Sequence, residues 1–555
     1  MKKPVIAIGL DAADPVLLEN WMAQGYLKNL NRLRSQGTYC RLDNIEYYKA
    51  ETPWTTFLTG CLPQKTGYWT PIGFDEGTYN ARLVEAYDFK EYSPFYALGD
   101  DHRVAVFDMP QAPLSENVNG IQVLAWGAHS PQTRSHSKPE NILPDILLKY
   151  GEHPALHNDH GDWWDEAYLT RLKKSLDTGI NHRISICRDL LQQEHWDLFL
   201  TIFGETHSAG HDYWFLSQPD HPLYHHHRVK GFTTDPMLDV FEAVDHAVGE
   251  ILESAPESAN LVVFAAHGSG SNTTDVSSML LLPELLYRYS FPGKAKLPVG
   301  NPKTAPLPVI NLPETLNWQT EIWRQWHDKN PIKRWFRRWV PETFNQKLDR
   351  GFAKLYKLVG KTYSTLTGFA RPRGAVSWQP TIWYQPYWPQ MKAFAIPSFS
   401  EGYIRINLEG REPSGTVSAS DYDAVCDEIT AHLHELRNPR TGASVVKKVV
   451  RTRKSAGDRD PKLPDADLVV VWDDTPADVV DSPKFGRIGP VPYRRTGSHR
   501  ARGFMIACGP EIEQGITLDN AHAVDLAPTI LDLMDVAIPE HFDGKPILKK
   551  TAVLS

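Results

Sequence analysis

The sequence predicts an α/β fold in which a mostly parallel central sheet is flanked by helices and interrupted by an inserted cap. Three observations carry this reading. Short continuous apolar runs stop abruptly at acidic or histidine-bearing segments. The stretches between them repeat their apolar residues at helical spacing, and the texture changes after residue 275 and returns near 401. The 555 residues are 41% hydrophobic and 23% charged, which is enough for a large core and excludes global disorder. At roughly 150 residues per domain, such a length means several units or one elaborated α/β domain. The balance of 59 Lys+Arg against 67 Asp+Glu gives a net charge of −8, so no nucleic-acid partner is expected. No run approaches the roughly 18 apolar residues that span a membrane. The five cysteines are scattered and fit neither a disulfide framework nor a CxxC metal pattern. A cytoplasmic location is the default expectation, and the oligomeric state is left open.

Residues 4–10 form a buried strand ending at Asp11. The early Asp11 and Asp14 mark a first strand rather than a signal peptide. Residues 15–36 are helical, with Leu17, Leu18, Trp21 and Met22 on one face and Leu27, Leu30 and Leu33 after a turn. Further strands fall at 103–108, ended by Asp108, and at 196–203 and 260–265. Between the last two, Met237, Val240, Phe241, Val244, Val248 and Ile251 line one face of a helix. Residues 276–400 are rich in Pro, Trp, Tyr and basic residues and include a basic-aromatic helix at 332–340. Tryptophans such as Trp383 and Trp388 suit the core of this cap, or a substrate with an aromatic portion. A helix at 420–436, strands at 467–472 and 503–508, and a helix at 524–534 complete the chain. The expected division is a catalytic core of 1–275 and 401–555 with a cap of 276–400.

In open parallel sheets, ligands bind beyond the carboxyl ends of the strands. Asp11, ETHSAGH (205–211) and AHGSGSN (266–272) all follow apolar strands, and His499 precedes the last one. His207 and His211 are four apart, so one helical face or one turn presents both imidazoles to a divalent metal. His267 and His499 fall at the same sheet edge. The run of three histidines at 225–227 has loop-like flanks and is read as surface. Thr52 followed by Pro53 reads as a helix N-cap and first helical position, where a hydroxyl sits at a positive helix end. Its neighbourhood marks it as a candidate nucleophile.

In order, IGLDAAD (8–14), TPWTTFLTGCLPQKTG (52–67), ETHSAGH (205–211), AAHGSG (265–270) and RTGSHRARG (495–503) resemble the alkaline phosphatase superfamily. The type I phosphodiesterase/nucleotide pyrophosphatase-like branch is the nearest. The resemblance implies an alkaline phosphatase-like core. It also implies two divalent ions, commonly zinc, with manganese as an alternative, and a Thr or Ser that attacks phosphorus. Carried over, one ion falls to His207, His211 and His499, and the other to Asp11, the nucleophile, position 266 and His267.

Two departures stand out. Position 207 is usually aspartate, and the usual Asp-His pair is here Ala266-His267, so one carboxylate ligand is lost. Glu205 or Asp14 substitutes for it, or the site holds a single ion. The nucleophile falls near Ala50 when aligned on the TG at 59–60 and near Glu51–Thr52 when aligned on the proline. A one-residue deletion selects Thr52, and Thr55 and Thr56 fall inside the helix. CLPQK (61–65) resembles a sulfatase signature, but it follows the TG and ends in lysine, so Cys61 is taken as structural.

The expected function is metal-dependent hydrolysis of a small phosphorylated substrate, a phosphodiester or phosphoanhydride, with Arg405 and Arg411 as candidates for holding a second anionic group. The alternatives are a transferase or lyase that uses the rebuilt site in a biosynthetic step, and a non-catalytic degenerate member.

Overall fold

The computed structural model describes residues 3–128, 133–157, 166–221, 223–225, 235–297, 303, 376, 379–491, 493, 495–510 and 512–548. The chain is built on a ten-stranded sheet. Its order is Ile516–Thr517, Thr38–Asp43, Arg502–Cys508, Asn260–Ala265, Val5–Leu10, Leu198–Phe203, Gly99–Met109, Val118–Leu124 and His136–Lys138, with Ala521–His522 also on Thr38–Asp43. The five strands from Asn260–Ala265 to Val118–Leu124 run parallel. Arg502–Cys508 runs antiparallel to both its neighbours. The central strands are wholly buried, as expected for apolar runs covered on both faces.

Helices supply the cover. Pro15–Ala23 starts where Asp14 Oδ1 accepts the Val16 and Leu17 amides at 3.1 and 3.2 Å, with proline at its first position. Lys28–Gln36 has no side-chain cap of its own. Its free amides are met instead by Asp245 of the Pro236–Leu252 helix, which accepts from Asn29 at 3.0 Å and Leu30 at 2.8 Å. The apolar stripe of Pro236–Leu252 is buried as the spacing predicts.

A second, four-stranded antiparallel sheet runs in the order Ala393–Ile396, Gly402–Ile406, Leu468–Trp472 and Val446–Arg451. The strand at 467–472 therefore joins this sheet and not the central one, and Ala393–Ile396 pairs with Gly402–Ile406 across position 400. A continuous apolar run shows that a strand is buried but not which sheet it joins. Trp383 and Trp388 are buried in the packing beside this sheet, while the helix expected at 332–340 lies outside the described residues. Among the described residues, no helix is long and apolar enough to cross a membrane. All five cysteines are free. Cys61 is buried, and burial pushes its thiol up to about 11, which suits a structural role.

Candidate active site

The sheet order places Leu198–Phe203 and Asn260–Ala265 on either side of Val5–Leu10. Leu10 is level with Phe203 and Gly9 with Phe264, so the chain segments beginning at Asp11, Gly204 and Ala266 leave the sheet side by side. After Asp11 the backbone turns through Ala12 at φ 56°, a left-handed conformation unusual for a residue with a Cβ. Ser269 Oγ donates to the Ala12 carbonyl at 2.7 Å and Thr206 Oγ1 to the Asp11 carbonyl at 2.6 Å, so both neighbouring segments hold this turn. The Glu205–Asp212 helix carries His207 and His211. His499 lies on Gly497–Arg500, opposite Ser269 of Gly268–Ser271. Gly497 must be glycine, because a Cβ there would lie 1.8 Å from the Gly210 carbonyl oxygen.

His207, His211, His267, His499 and Asp11 form one buried cluster. His207 Nδ1 lies 2.8 Å from Asp11 Oδ2, and His211 Nδ1 lies 2.8 Å from the Gly497 carbonyl. Both oxygens only accept, so both Nδ1 atoms carry the proton. In the neutral rings each Nε2 then holds a lone pair, and these two nitrogens face each other at 2.8 Å. Burial holds His207 and, more strongly, His499 below the usual histidine range, with neighbouring His267 and Arg495 adding to it. Neutral imidazoles are the ligand form. Burial opposes the Asp11 carboxylate, but His207 and His267 beside it hold it well below the usual carboxylate range. It is ionised.

Nitrogens of His207, His211 and His499 lie within 4.8 Å of one another. Two imidazole nitrogens facing each other at 2.8 Å can share a cation, and three imidazoles are a ligand set that zinc accepts. The donor chemistry fits a divalent ion. Asp11 Oδ1 lies 3.2 Å from His267 Nε2, an ion-pair contact between two buried groups. Asp11 and His267 thus lie together beside the three histidines, and the alanine at 266 has no ligating side chain.

The expected substitutes for that ligand are engaged elsewhere. Asp14 caps its helix, and its Oδ2 accepts from Arg502 Nε at 2.6 Å. Glu205 Oε1 meets Arg183 Nε at 3.1 Å and His153 Nε2 at 3.2 Å. Arg405 is paired with Glu412, and Arg411 with Glu412 and bidentately with Asp467 at 2.7 and 2.6 Å. The structure therefore places both arginines in the framework of the second sheet, where their N–H groups are held by internal carboxylates and carbonyls. A polar residue near strand-edge sequence looks alike whether its partner is substrate or an internal carboxylate.

Thr52 is fully buried at the start of the Pro53–Thr59 helix, but its hydroxyl does not cap that helix. It donates instead to the Tyr48 carbonyl at 2.9 Å. Two residues on, the Trp54 ring meets His267 edge-on, with centroids 6.4 Å apart, so this helix starts beside the cluster. Two further groups, neither marked by the sequence, adjoin the cluster. Arg495 Nη1 lies 3.2 Å from His211 Nε2, and Arg495 Nε lies 2.7 Å from Asp275 Oδ2. Arg495 stands in the motif that contains His499, but its partner Asp275 is distant in sequence. Of the residues at 225–227, only His225 is described, and it is exposed.

His221, buried near this region, is pulled down to about 4 by desolvation, against a hydrogen bond to the Thr496 backbone. Its folded value lies below the unfolded 6.5, so its contribution to stability is complete above pH 6.5 and is lost as pH falls toward 4. The loss is at most roughly 3 kcal/mol. Acid unfolding should accordingly be shallower over that interval in His221→Gln than in the wild type, as followed by circular dichroism. Identical curves for the two proteins would remove His221 from the account.

The fold and cluster define an α/β protein with a histidine-rich, cation-ready site at the carboxyl edge of its parallel sheet. The chain belongs to the type I phosphodiesterase/nucleotide pyrophosphatase family, whose model matches residues 5–304. That match includes Asp11, Thr52, His207, His211 and His267, whereas His499 lies beyond it. Among solved structures, the chain is similar to murine ectonucleotide pyrophosphatase/phosphodiesterase 5 (12% identity, 97% of each chain covered, TM-score 0.46). It is also similar to phosphonoacetate hydrolase from Sinorhizobium meliloti 1021 in complex with phosphonoformate (13% identity, 97% of this chain and 96% of that one, TM-score 0.48). The human ectonucleotide pyrophosphatase/phosphodiesterase 5 compares similarly (10% identity, 98% and 97% covered, TM-score 0.46). No curated protein matches the chain significantly.

Proposed function

We propose that the protein is a metal-dependent hydrolase of phosphate esters, with phosphodiesters or phosphoanhydrides preferred. His207, His211 and His499 would hold a divalent cation, zinc foremost, and Thr52 would be the nucleophile. The observation that carries this reading is the 2.8 Å approach of the His207 and His211 Nε2 atoms. Family membership supports the ester chemistry. A cation held there supplies Lewis-acid polarisation of a phosphoryl oxygen.

The chain's own groups have separable tasks. Asp11 and the Gly497 carbonyl orient the His207 and His211 rings and fix their tautomers. Burial of the cluster keeps bulk water from competing for the anion. Thr52 must first give up its bond to the Tyr48 carbonyl by rotating its side chain, a net cost of about 1 kcal/mol. One ion on the three histidines is the better-supported stoichiometry, because Asp11 and His267 alone make an incomplete second site. A cytoplasmic location remains part of the proposal, supported by five free thiols that suit a reducing compartment.

Thr52→Ala tests the nucleophile, with bis(p-nitrophenyl) phosphate and a nucleoside triphosphate as substrates. Hydrolysis should fall by about a thousandfold or more while zinc content stays at the wild-type level, and Thr52→Ser should retain part of the rate. Full activity in Thr52→Ala would exclude Thr52. Ala266 and the engaged Thr52 hydroxyl favour one other reading, binding without turnover. Zinc uptake with no hydrolysis of any ester would select that reading, and product formed only with an added acceptor would select transfer.

A further inference from the structure

Arg495 belongs to no ligand set, yet it is held beside His211 from two sides. Its Nε and Nη2 lie 2.7 and 3.3 Å from the two oxygens of buried Asp275. This two-point grip fixes the plane of the guanidinium. Asp275 is itself anchored, accepting no freedom from its loop: its amide donates to Asn272 Oδ1 at 3.1 Å, and Asn272 Nδ2 donates to the Arg495 carbonyl at 3.0 Å. On the other side, the Thr496 amide donates to the His211 carbonyl at 3.2 Å. The remaining Nη1 is thereby aimed at His211 Nε2, 3.2 Å away. The Arg495 side chain is 18% exposed, so the group spans from the buried rings toward solvent.

Arginine N–H and a metal ion want the same lone pair on His211 Nε2. With a cation on that nitrogen, Nη1 has no acceptor on the ring and faces whatever anion the cation attracts. Planar guanidinium N–H groups match phosphoryl oxygens. Resting on the reading of the three histidines as a cation site, we propose that Arg495 is a substrate-binding residue that grips the phosphoryl group of an anionic ester and is pre-aimed by Asp275. It supplies a cationic contact that Arg405 and Arg411, held by Glu412 and Asp467, do not.

The assignment predicts two effects of opposite sign. In Arg495→Met, zinc affinity, measured by competition with a chromophoric chelator, should stay equal or tighten, because a competing donor and a like charge are gone. Binding of inorganic phosphate to the zinc-loaded protein, measured by calorimetry, should weaken at least tenfold, and Arg495→Lys should fall between. Phosphate binding that is unchanged in Arg495→Met overturns the proposal. Parallel loss of zinc and phosphate binding also overturns it, since Arg495 would then only position His211. Wild-type protein that takes up no zinc overturns both this proposal and the reading beneath it. Wild-type protein that binds zinc and phosphate but hydrolyses no ester sinks the hydrolase reading alone, and Arg495 stands if Arg495→Met weakens phosphate.

Discussion

His211→Ala is expected to lose bound zinc and to hydrolyse phosphodiesters about a thousandfold more slowly, the ~4 kcal/mol within what a Lewis acid contributes to a charged transition state. The tautomer of His211 decides this. His211 gives its Nδ1 proton to the Gly497 carbonyl at 2.8 Å, which leaves Nε2 as one of the two facing nitrogens. Removing the ring leaves His207 and His499, a pair too poor to hold a divalent ion against water. The same substitution strands a buried carbonyl at Gly497, at a cost of about 1–3 kcal/mol. A circular dichroism spectrum and melting curve must therefore accompany elemental analysis of the purified protein. A folded variant that keeps its full zinc content would show that the three histidines are not the cation site. Two equivalents in the wild type would mean that Asp11 and His267 hold a second ion despite Ala266.

Arg183→Met is expected to destabilise the protein by about 3–5 kcal/mol, the usual result of removing one member of a buried ionic group. Arg183 is fully buried, with Nη2 2.5 Å from Asp108 Oδ2 and Nε 3.1 Å from Glu205 Oε1. Asp108 is further fixed by the amides of Trp126 and Gly127, at 2.8 and 2.7 Å. Burial works against ionised Glu205, but Arg183, aided by His153, holds its carboxyl down to about 2. Without Arg183, two carboxylates remain buried with one cationic partner removed. Glu205 opens the helix that carries His207 and His211, so the loss should reach the site as weaker zinc binding as well as a lower urea midpoint. Adding Glu205→Gln to Arg183→Met should recover part of the stability, because one uncompensated charge is then gone. An Arg183→Met midpoint within error of the wild type would mean that this network contributes little to the fold.

Much of the central sheet is legible in the sequence, because strands buried on both faces must be apolar throughout. The runs at 4–10, 196–203 and 260–265 show this without any neighbour being known. The clustering of Asp11, His207, His211, His267 and His499 was approachable for the same reason: each follows or adjoins such a run, and parallel strands bring their carboxyl ends to one edge. The second sheet was not separable, since Leu468–Trp472 is as apolar as any central strand and its antiparallel partners are set by long-range pairing.

Charged residues behaved differently from apolar ones. Arg405, Arg411, Asp14 and Glu205 carry the right chemistry for a site, but a side chain's charge does not reveal its partner. The sequence by itself determined which residues must be buried and which strand ends carry ligating groups, because periodicity and polarity are local properties. Only the tertiary structure decided that two imidazole nitrogens face each other, that Arg405 and Arg411 are held by Asp467 and Glu412, and that Asp275 aims Arg495 at His211. The Asp275–Arg495–His211 contacts join residues 220 and 284 positions apart, and even the four-residue spacing of His207 and His211 does not say how their rings turn; packing sets both.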